Sequence, residues 1–414
     1  MAKHGAAGMP DDPPGPRWTL RDVAACFPPS ARLPLLAERA ARPSATAGHH
    51  KALARTLLEL GRLEEAWTAL APALAGPIDP DTRLLAGTIA RASGRMGEAI
   101  AHLRHAVADD SASVPAVDGL ARALDRVRRR DEALAVLADG LRRAPGNADL
   151  WATLTGTAVA GGRAAALERA FAELVLPEHP IGGITDARVF LAERGGDRAT
   201  LERLLLAPGL VSETDLLPPD DPLLDAVLAE VAAVDDFVAN PYDRSVAGGR
   251  QAPFPVTADR PAWAALVRRI RDRVEAHFAA LRRADPGFAP PGGGIRLRSW
   301  AVRLADGGRQ RVHLHPTGWF SGVVYLAVPP EVAAADDGAG CLEIPVLPGG
   351  LIPDWPVRRI RPAPGRLVLF PSYLRHGTVP FRSAGERVCI AFDLLPEDGV
   401  ADCGTCRAGY AGSG

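Results

Sequence analysis

Arg311-Val312-His313-Leu314-His315-Pro316 is soon followed by Ser321-Gly322-Val323-Val324-Tyr325-Leu326, and both stretches read as strands. Side chains two apart in a strand leave the same face. His313 and His315 can therefore grip one metal ion while Leu314 packs on the opposite side. About 60 residues on, Gly365-Arg366-Leu367-Val368-Leu369-Phe370-Pro371-Ser372 leads to His376, and Arg387 opens Val388-Cys389-Ile390-Ala391-Phe392-Asp393. Further short strand-like runs lie at 295–304, 341–346 and 357–360, with Gly, Pro or Asp turns between them. Helical patterns come before them, near 223–231 and from Pro261 to about Arg283. In the second, Trp263, Leu266, Val267, Ile270, Val274, Phe278 and Leu281 recur at a helical period. Pro261 and Pro286 suit its two ends. Between the helices, 239–261 is rich in turn formers and includes Gly248-Gly249-Arg250-Gln251. Helices first and strands afterwards suggest a β-sandwich or barrel with helices packed on one sheet.

The run H-x-H-P, S-G-V-x-Y-L, G-x-L-x-L-F-P-S, H-x-x-x-P and R-x-x-I-x-F-D over these residues resembles the iron(II)/2-oxoglutarate dioxygenases. The similar branch has H-x-H in place of the more familiar H-x-D and is often linked to tetratricopeptide repeats. The resemblance covers about 240–396. It implies a double-stranded β-helix (jelly roll), Fe(II) and 2-oxoglutarate as cofactor and co-substrate, and oxidation of a C–H bond with release of succinate and CO2. His313, His315 and His376 align with the iron ligands. Arg387 aligns with the residue that binds the far carboxylate of 2-oxoglutarate. Such a site needs about three ligands on one face of the metal and a fixed cation for the co-substrate, which a guanidinium supplies as a bidentate fork. Tyr325 and Ser321 are candidates to donate hydroxyls to the same co-substrate.

The sequence departs from the family at two places. His315 stands where a carboxylate ligand is usual, which leaves open a three-His site or two ligands with an outside carboxylate such as Glu343. Cys389 stands where a small hydroxyl residue is usual, two after the arginine. Arg387 also has a plainer reading, as a surface partner of Glu386 or Asp393. Two other functions stay in view: an inactive oxygenase-like barrel on an interaction scaffold, and a cupin-like three-His metalloenzyme that does not use 2-oxoglutarate. Gly365 reads as a turn glycine. His277, on a helix face beside Phe278, is not expected to bind metal, and His49 and His50 are expected in a solvated loop.

Upstream, Gly61-Arg62-Leu63-Glu64-Glu65-Ala66, Gly94-Arg95-Met96-Gly97-Glu98-Ala99 and Arg128-Arg129-Arg130-Asp131-Glu132-Ala133 align, with the alanines separated by 33 and then 34 residues. A fixed period of this size signals a solenoid whose units bury their apolar faces on one another. Leu70, Leu103 and Leu137 each follow four residues later, on the same helical face. The pattern resembles the tetratricopeptide repeat. Trp151, Gly162-Arg163 and Phe171 suit a degenerate fourth unit, with Leu167 replacing alanine, so that this unit is expected to cap the array. Such arrays bind proteins or peptides, and Ala- and Leu-rich helices can also form a homodimer.

The 414 residues carry a net charge of −1, which provides no general attraction to nucleic acid or to an acidic membrane surface. Cys26, Cys341, Cys389, Cys403 and Cys406 are odd in number and scattered, so no disulfide framework is expected. No secretory h-region or membrane-length apolar run is present, and a cytoplasmic protein is expected. Cys403-Gly404-Thr405-Cys406 is half of a zinc pattern and reads as a free tail. The expected organisation is a disordered tail (1–17), tetratricopeptide-like helices (18–209), a linker and helix (210–238), the oxygenase barrel (239–398) and a flexible tail (399–414).

Overall fold

The computed structural model describes residues 29–176, 182–242, 244–285, 288 and 294–396, with the backbone of the short strand β1 (Trp18–Thr19). The tails at 1–17 and 399–414, Cys26, Pro286, Cys403 and Cys406 lie outside these residues.

Helix α1 (Pro29–Ala40) precedes five helix pairs: α2 (Ala47–Glu59) with α3 (Leu63–Leu74), α4 (Pro80–Ala92) with α5 (Met96–Asp109), α6 (Val114–Arg126) with α7 (Arg130–Arg143), α8 (Ala148–Gly161) with α9 (Ala164–Glu173), and α10 (Gly182–Gly195) with α11 (Arg198–Leu205). Each pair turns on one left-handed residue: Gly61 (φ 70°), Gly94 (76°), Arg128 (65°), Gly162 (65°) and Gly196 (68°). Glycine suits that conformation, and Arg128 adopts it without one. Five residues after each turn, Ala66, Ala99, Ala133, Leu167 and Leu201 are fully buried. A fifth unit therefore follows the four singled out from the sequence, within the expected helical stretch 18–209, and the fourth pair is interior instead of a cap. In the fifth, as in the fourth, a leucine (Leu201, Leu167) replaces the small residue that marks the first three units.

Helix α10 differs from the rest. Gly182 through Ala187, Val189, Phe190, Ala192 and Glu193 are all buried, so no apolar stripe distinguishes one face from another. One side crosses α8 closely: a Cβ on Gly183 would stand 2.1 Å from the Ala148 carbonyl oxygen. The other side meets the strand-rich half. His49 and His50 are not in a loop. They sit in the first turn of α2, where the His49 Nδ1 accepts the Thr46 amide at 3.0 Å.

The second half contains β2 (Ser212–Asp215), α12 (Pro222–Ala232), β3 (Val238–Ala239), β4 (Val246–Pro253), α13 (Pro261–Ala284), β5 (Ile295–Gln310), β6 (Phe320–Ala327), α14 (Pro330–Ala333), β7 (Leu342–Ile344), β8 (Arg358–Ile360), β9 (Arg366–Pro371), β10 (Gly377–Thr378) and β11 (Arg387–Pro396). Among the described residues the major sheet runs β2-β9-β6-β11-β5-β4-β3, with β1 beside β5, and the minor sheet runs β10-β7-β8. All pairings are antiparallel except β1 with β5. The expected antiparallel barrel with supporting helices is present. The stretch 210–238, read as linker and helix, also supplies β2 at a sheet edge.

Alternation along the strands divides the major sheet into two faces. Val388, Ile390, Phe392 and Leu394 join Leu367, Leu369, Val324 and Leu326 in one core with α12 and α13. Cys389, Val368, Phe370, Tyr325, Val302 and Leu304 join Leu342, Ile344 and Ile360 of the minor sheet in a second core. Arg387, Ala391 and Asp393 share the phase of Cys389 and so face the inter-sheet space.

Two local expectations change. Gly248 and Gly249 are not a loop but a bulge inside β4, where the register shifts between Ala247 and Gly249. A Cβ on Gly249 would lie 2.6 Å from the Arg303 carbonyl oxygen, so the residue type reflects close strand approach. The segment 311–315 is not a strand. A single isolated bridge joins His313 to His376. Among the described residues no helix is long and apolar enough to cross a membrane.

Candidate metal centre

His313 and His376 exchange both backbone hydrogen bonds, His313 N to His376 O and His376 N to His313 O, each at 2.9 Å. His315 N donates to the Ser372 carbonyl at 3.0 Å. These three bonds bring two segments about 60 residues apart edge to edge and set all three imidazoles at one end of the inter-sheet space. The ring centroids are 5.1 Å apart for His313 and His315, 4.3 Å for His313 and His376, and 5.2 Å for His315 and His376. One ligand atom from each lies within 4.8 Å of the others.

Each Nδ1 faces an oxygen that can only accept. His313 Nδ1 lies 2.8 Å from the Arg311 carbonyl, His376 Nδ1 2.9 Å from the Leu374 carbonyl, and His315 Nδ1 2.5 Å from Asp393 Oδ1. A neutral imidazole has one N–H and one lone pair. With a single proton on each ring, that proton sits on Nδ1 and the Nε2 atoms keep their lone pairs; those of His313 and His315 then meet 3.2 Å apart. Two lone pairs at that distance repel unless a cation lies between them. Burial, followed by the neighbouring His315, lowers His313 to about 3, and burial followed by the other two rings holds His376 well below its ordinary value. Both rings are neutral near pH 7, the form that binds metal. The donor set fits Fe(II) with open positions left over.

Asp393, considered from sequence only as a surface partner of Arg387, is the carboxylate that backs the histidine cluster. It is fully buried on β11 and holds three partners: His315, Arg298 through Oδ2 at 2.7 Å, and the Ser321 hydroxyl at 2.8 Å. Burial alone would raise its carboxyl, but His315 and then Arg298 outweigh it and hold the group well below the usual carboxylate range. A buried anion behind the distal nitrogen of a ligating histidine fixes its tautomer and raises its basicity. Glu343, the carboxylate considered from sequence, pairs instead with Arg359 at 3.0 Å and is outside the histidine cluster. Ser321 donates its only proton to Asp393 and lies 2.7 Å from the Ser372 hydroxyl. Its hydroxyl thus supports the histidine side, whereas the sequence reading aimed it at a co-substrate. Trp300 stacks on His315 at 5.4 Å, and Phe370 packs against His376 at 4.6 Å.

Arg387 is 2% exposed, so the surface-partner reading fails. Glu386 pairs with Arg250 and Arg303 instead. Arg387 donates from Nη1 to the Gly340 carbonyl at 2.7 Å and from Nη2 to the Thr378 hydroxyl at 3.3 Å, and its guanidinium lies 5.5 Å from the Tyr325 ring centre. Its Nε has no hydrogen-bond partner. A buried, orphaned donor on a permanent cation is a costly arrangement and fits an anionic ligand. Burial pushes the Tyr325 phenol far above its usual range and also raises the Cys389 thiol, so both keep their protons. Arg387, Tyr325, Thr378, Cys389 and the three histidines line one cavity with room for about 20 Å3 of water-sized spheres, enough for a water or two. A larger ligand enters only with movement of the side chains around it. His277 lies away from this cavity, edge-on to Phe320 at 5.8 Å.

Residues 298–393 match the family model described as "Putative 2OG-Fe(II) oxygenase", and residues 90–170 match the tetratricopeptide repeat. No curated protein gives a match. Similar solved structures include a Pseudomonas putida prolyl-4-hydroxylase, 19% identical with a TM-score of 0.32 over 46% of this chain and 94% of that one. Another is HygX from Streptomyces hygroscopicus with nickel and 2-oxoglutarate bound, 14% identical with a TM-score of 0.32 over 49% and 87%. For the helical half, a thermophilic TPR protein of Thermus thermophilus is 21% identical with a TM-score of 0.29 over 38% and 88%. By the two sequence matches, the chain joins a tetratricopeptide repeat array to a domain of the 2OG-Fe(II) oxygenase family.

Proposed function

We propose that the protein is an Fe(II)/2-oxoglutarate hydroxylase acting on a protein or peptide that its repeat array holds. The observation that carries the reading is the convergence of three imidazoles, each with its Nδ1 already facing an oxygen of the protein. His313, His315 and His376 hold the metal, and Fe(II) with 2-oxoglutarate and O2 supplies the oxidising power when bound. Arg387 receives the far carboxylate of 2-oxoglutarate through its unpartnered Nε, and Tyr325 provides a protonated phenol beside it. Val323, Leu342, Phe370 and Ala391 give the cavity apolar walls, which strengthens each charged contact inside it. Asp393 supplies behind His315 the negative charge that the metal's own ligands lack.

The test is production of succinate from 2-oxoglutarate by the purified full chain, with and without Fe(II). Metal-dependent succinate release is expected; its absence with correctly folded, iron-loaded protein sinks the proposal and favours the inactive barrel. Asp393 makes a separate prediction. Asp393→Asn keeps the shape and removes the charge. It is expected to weaken Co(II) binding about 10- to 100-fold, the usual effect of losing an outer partner of a ligating histidine. An unchanged Co(II) titration would leave Asp393 with a packing role only.

A further inference from the structure

The metal-bearing turn 372–376 is held from outside by the last pair of the helical array. Asp186 of α10 is 1% exposed and pairs with Arg375, the residue before His376, through Nε and Nη2 at 2.7 Å each. The Arg375 carbonyl accepts the Val346 amide at 2.9 Å. Glu193, one further helical stretch along α10 and 3% exposed, accepts the amides of Gly349 (2.9 Å) and Leu351 (2.5 Å) in the loop after β7. The Tyr373 hydroxyl donates to the Leu204 carbonyl of α11 at 2.7 Å. At the start of α10 the approach is backbone to backbone: a Cβ on Gly182 would lie 2.7 Å from the Pro316 carbonyl oxygen and 3.1 Å from that of His315. One helix thus touches the chain beside two of the three histidines, and it presents buried carboxylates there.

Buried carboxylates are retained only where partners satisfy them, and a bidentate guanidinium pair fixes direction as well as distance. We infer that α10 is part of the metal centre, with Asp186 a positioning residue that sets the His376 ring through Arg375. The inference rests on the metal reading above, and it gives the repeat array a second task besides holding a partner: its terminal pair shapes the site.

Co(II) titration of the full chain, followed by visible absorption, provides the test, with thermal unfolding of the metal-free protein alongside. Asp186→Asn is expected to bind Co(II) about tenfold more weakly, the lower end of the effect of outer-shell partners. Because that variant leaves Arg375 buried without its anion and can misfold, a second variant combines Asp186→Leu with Arg375→Met, an apolar replacement of the kind that buried ion pairs tolerate. If the pair positions His376, the double variant recovers the unfolding temperature but still binds Co(II) about tenfold more weakly. If it binds Co(II) as wild type does, the pair merely fills space and the inference is overturned. Wild-type protein that binds no Co(II) at all would instead overturn the metal reading, and this inference with it.

Discussion

His376→Ala is expected to abolish metal binding and 2-oxoglutarate turnover together. His376 is the one ligand candidate of the three that comes from the second segment, 4% exposed with its ring packed on Phe370. Its backbone, not its side chain, makes the bridge to His313. Alanine therefore keeps the bridge and removes only the imidazole. Loss of an outer partner alone weakens such sites about 10- to 100-fold, so loss of a ligand is expected to exceed about 100-fold in Co(II) affinity and to reduce succinate release to background. Circular dichroism and unfolding temperature separate this from misfolding. A variant that folds and binds Co(II) like wild type would show that His313 and His315 meet the metal without it, and the proposed three-imidazole face would fall.

Arg387→Ala separates the two cofactors. The expected result is an unchanged Co(II) titration and a rise in the 2-oxoglutarate concentration needed for half-maximal turnover. Removing one partner of a buried charge pair typically costs about 2–5 kcal/mol, and each 1.4 kcal/mol is a factor of ten, so a rise of at least about thirtyfold is expected. Arg387→Lys should recover little, because an ammonium cannot keep the bonds to the Gly340 carbonyl and the Thr378 hydroxyl while offering a third donor in the plane of the guanidinium. Both variants lose native hydrogen bonds, so some fall in unfolding temperature accompanies the effect. If 2-oxoglutarate dependence is unchanged in Arg387→Ala, the co-substrate reading fails and a three-His metalloenzyme without 2-oxoglutarate becomes the better account.

Much of the architecture is legible along the chain because the signals are short-range. The 33- and 34-residue spacing marks the helix pairs, since every unit must bury the same face against the next. The fifth pair escapes that reading. Gly196 keeps the phase, but Leu201 stands where the first three units have alanine, and nearly all of α10 up to Glu193 is buried, which blurs the amphipathic stripe. Gly248 and Gly249 mislead for the opposite reason. Glycine marks loops and strand bulges alike, and only the close approach of β5 tells them apart.

Residue type singled out the histidines and Arg387, and spacing marked the alternating strands, where a two-residue step returns a side chain to the same face by backbone geometry alone; 311–315 is no strand, so the meeting of His313 and His315 with His376 belongs to the fold. Which groups stand behind those side chains was decided in three dimensions. Asp393 is 78 residues from His315 and Asp186 is 189 residues from Arg375; neither separation has a local signature. A hydrogen bond depends on distance and direction between atoms, and at such separations both are products of how the strands register and where the helical array comes to rest.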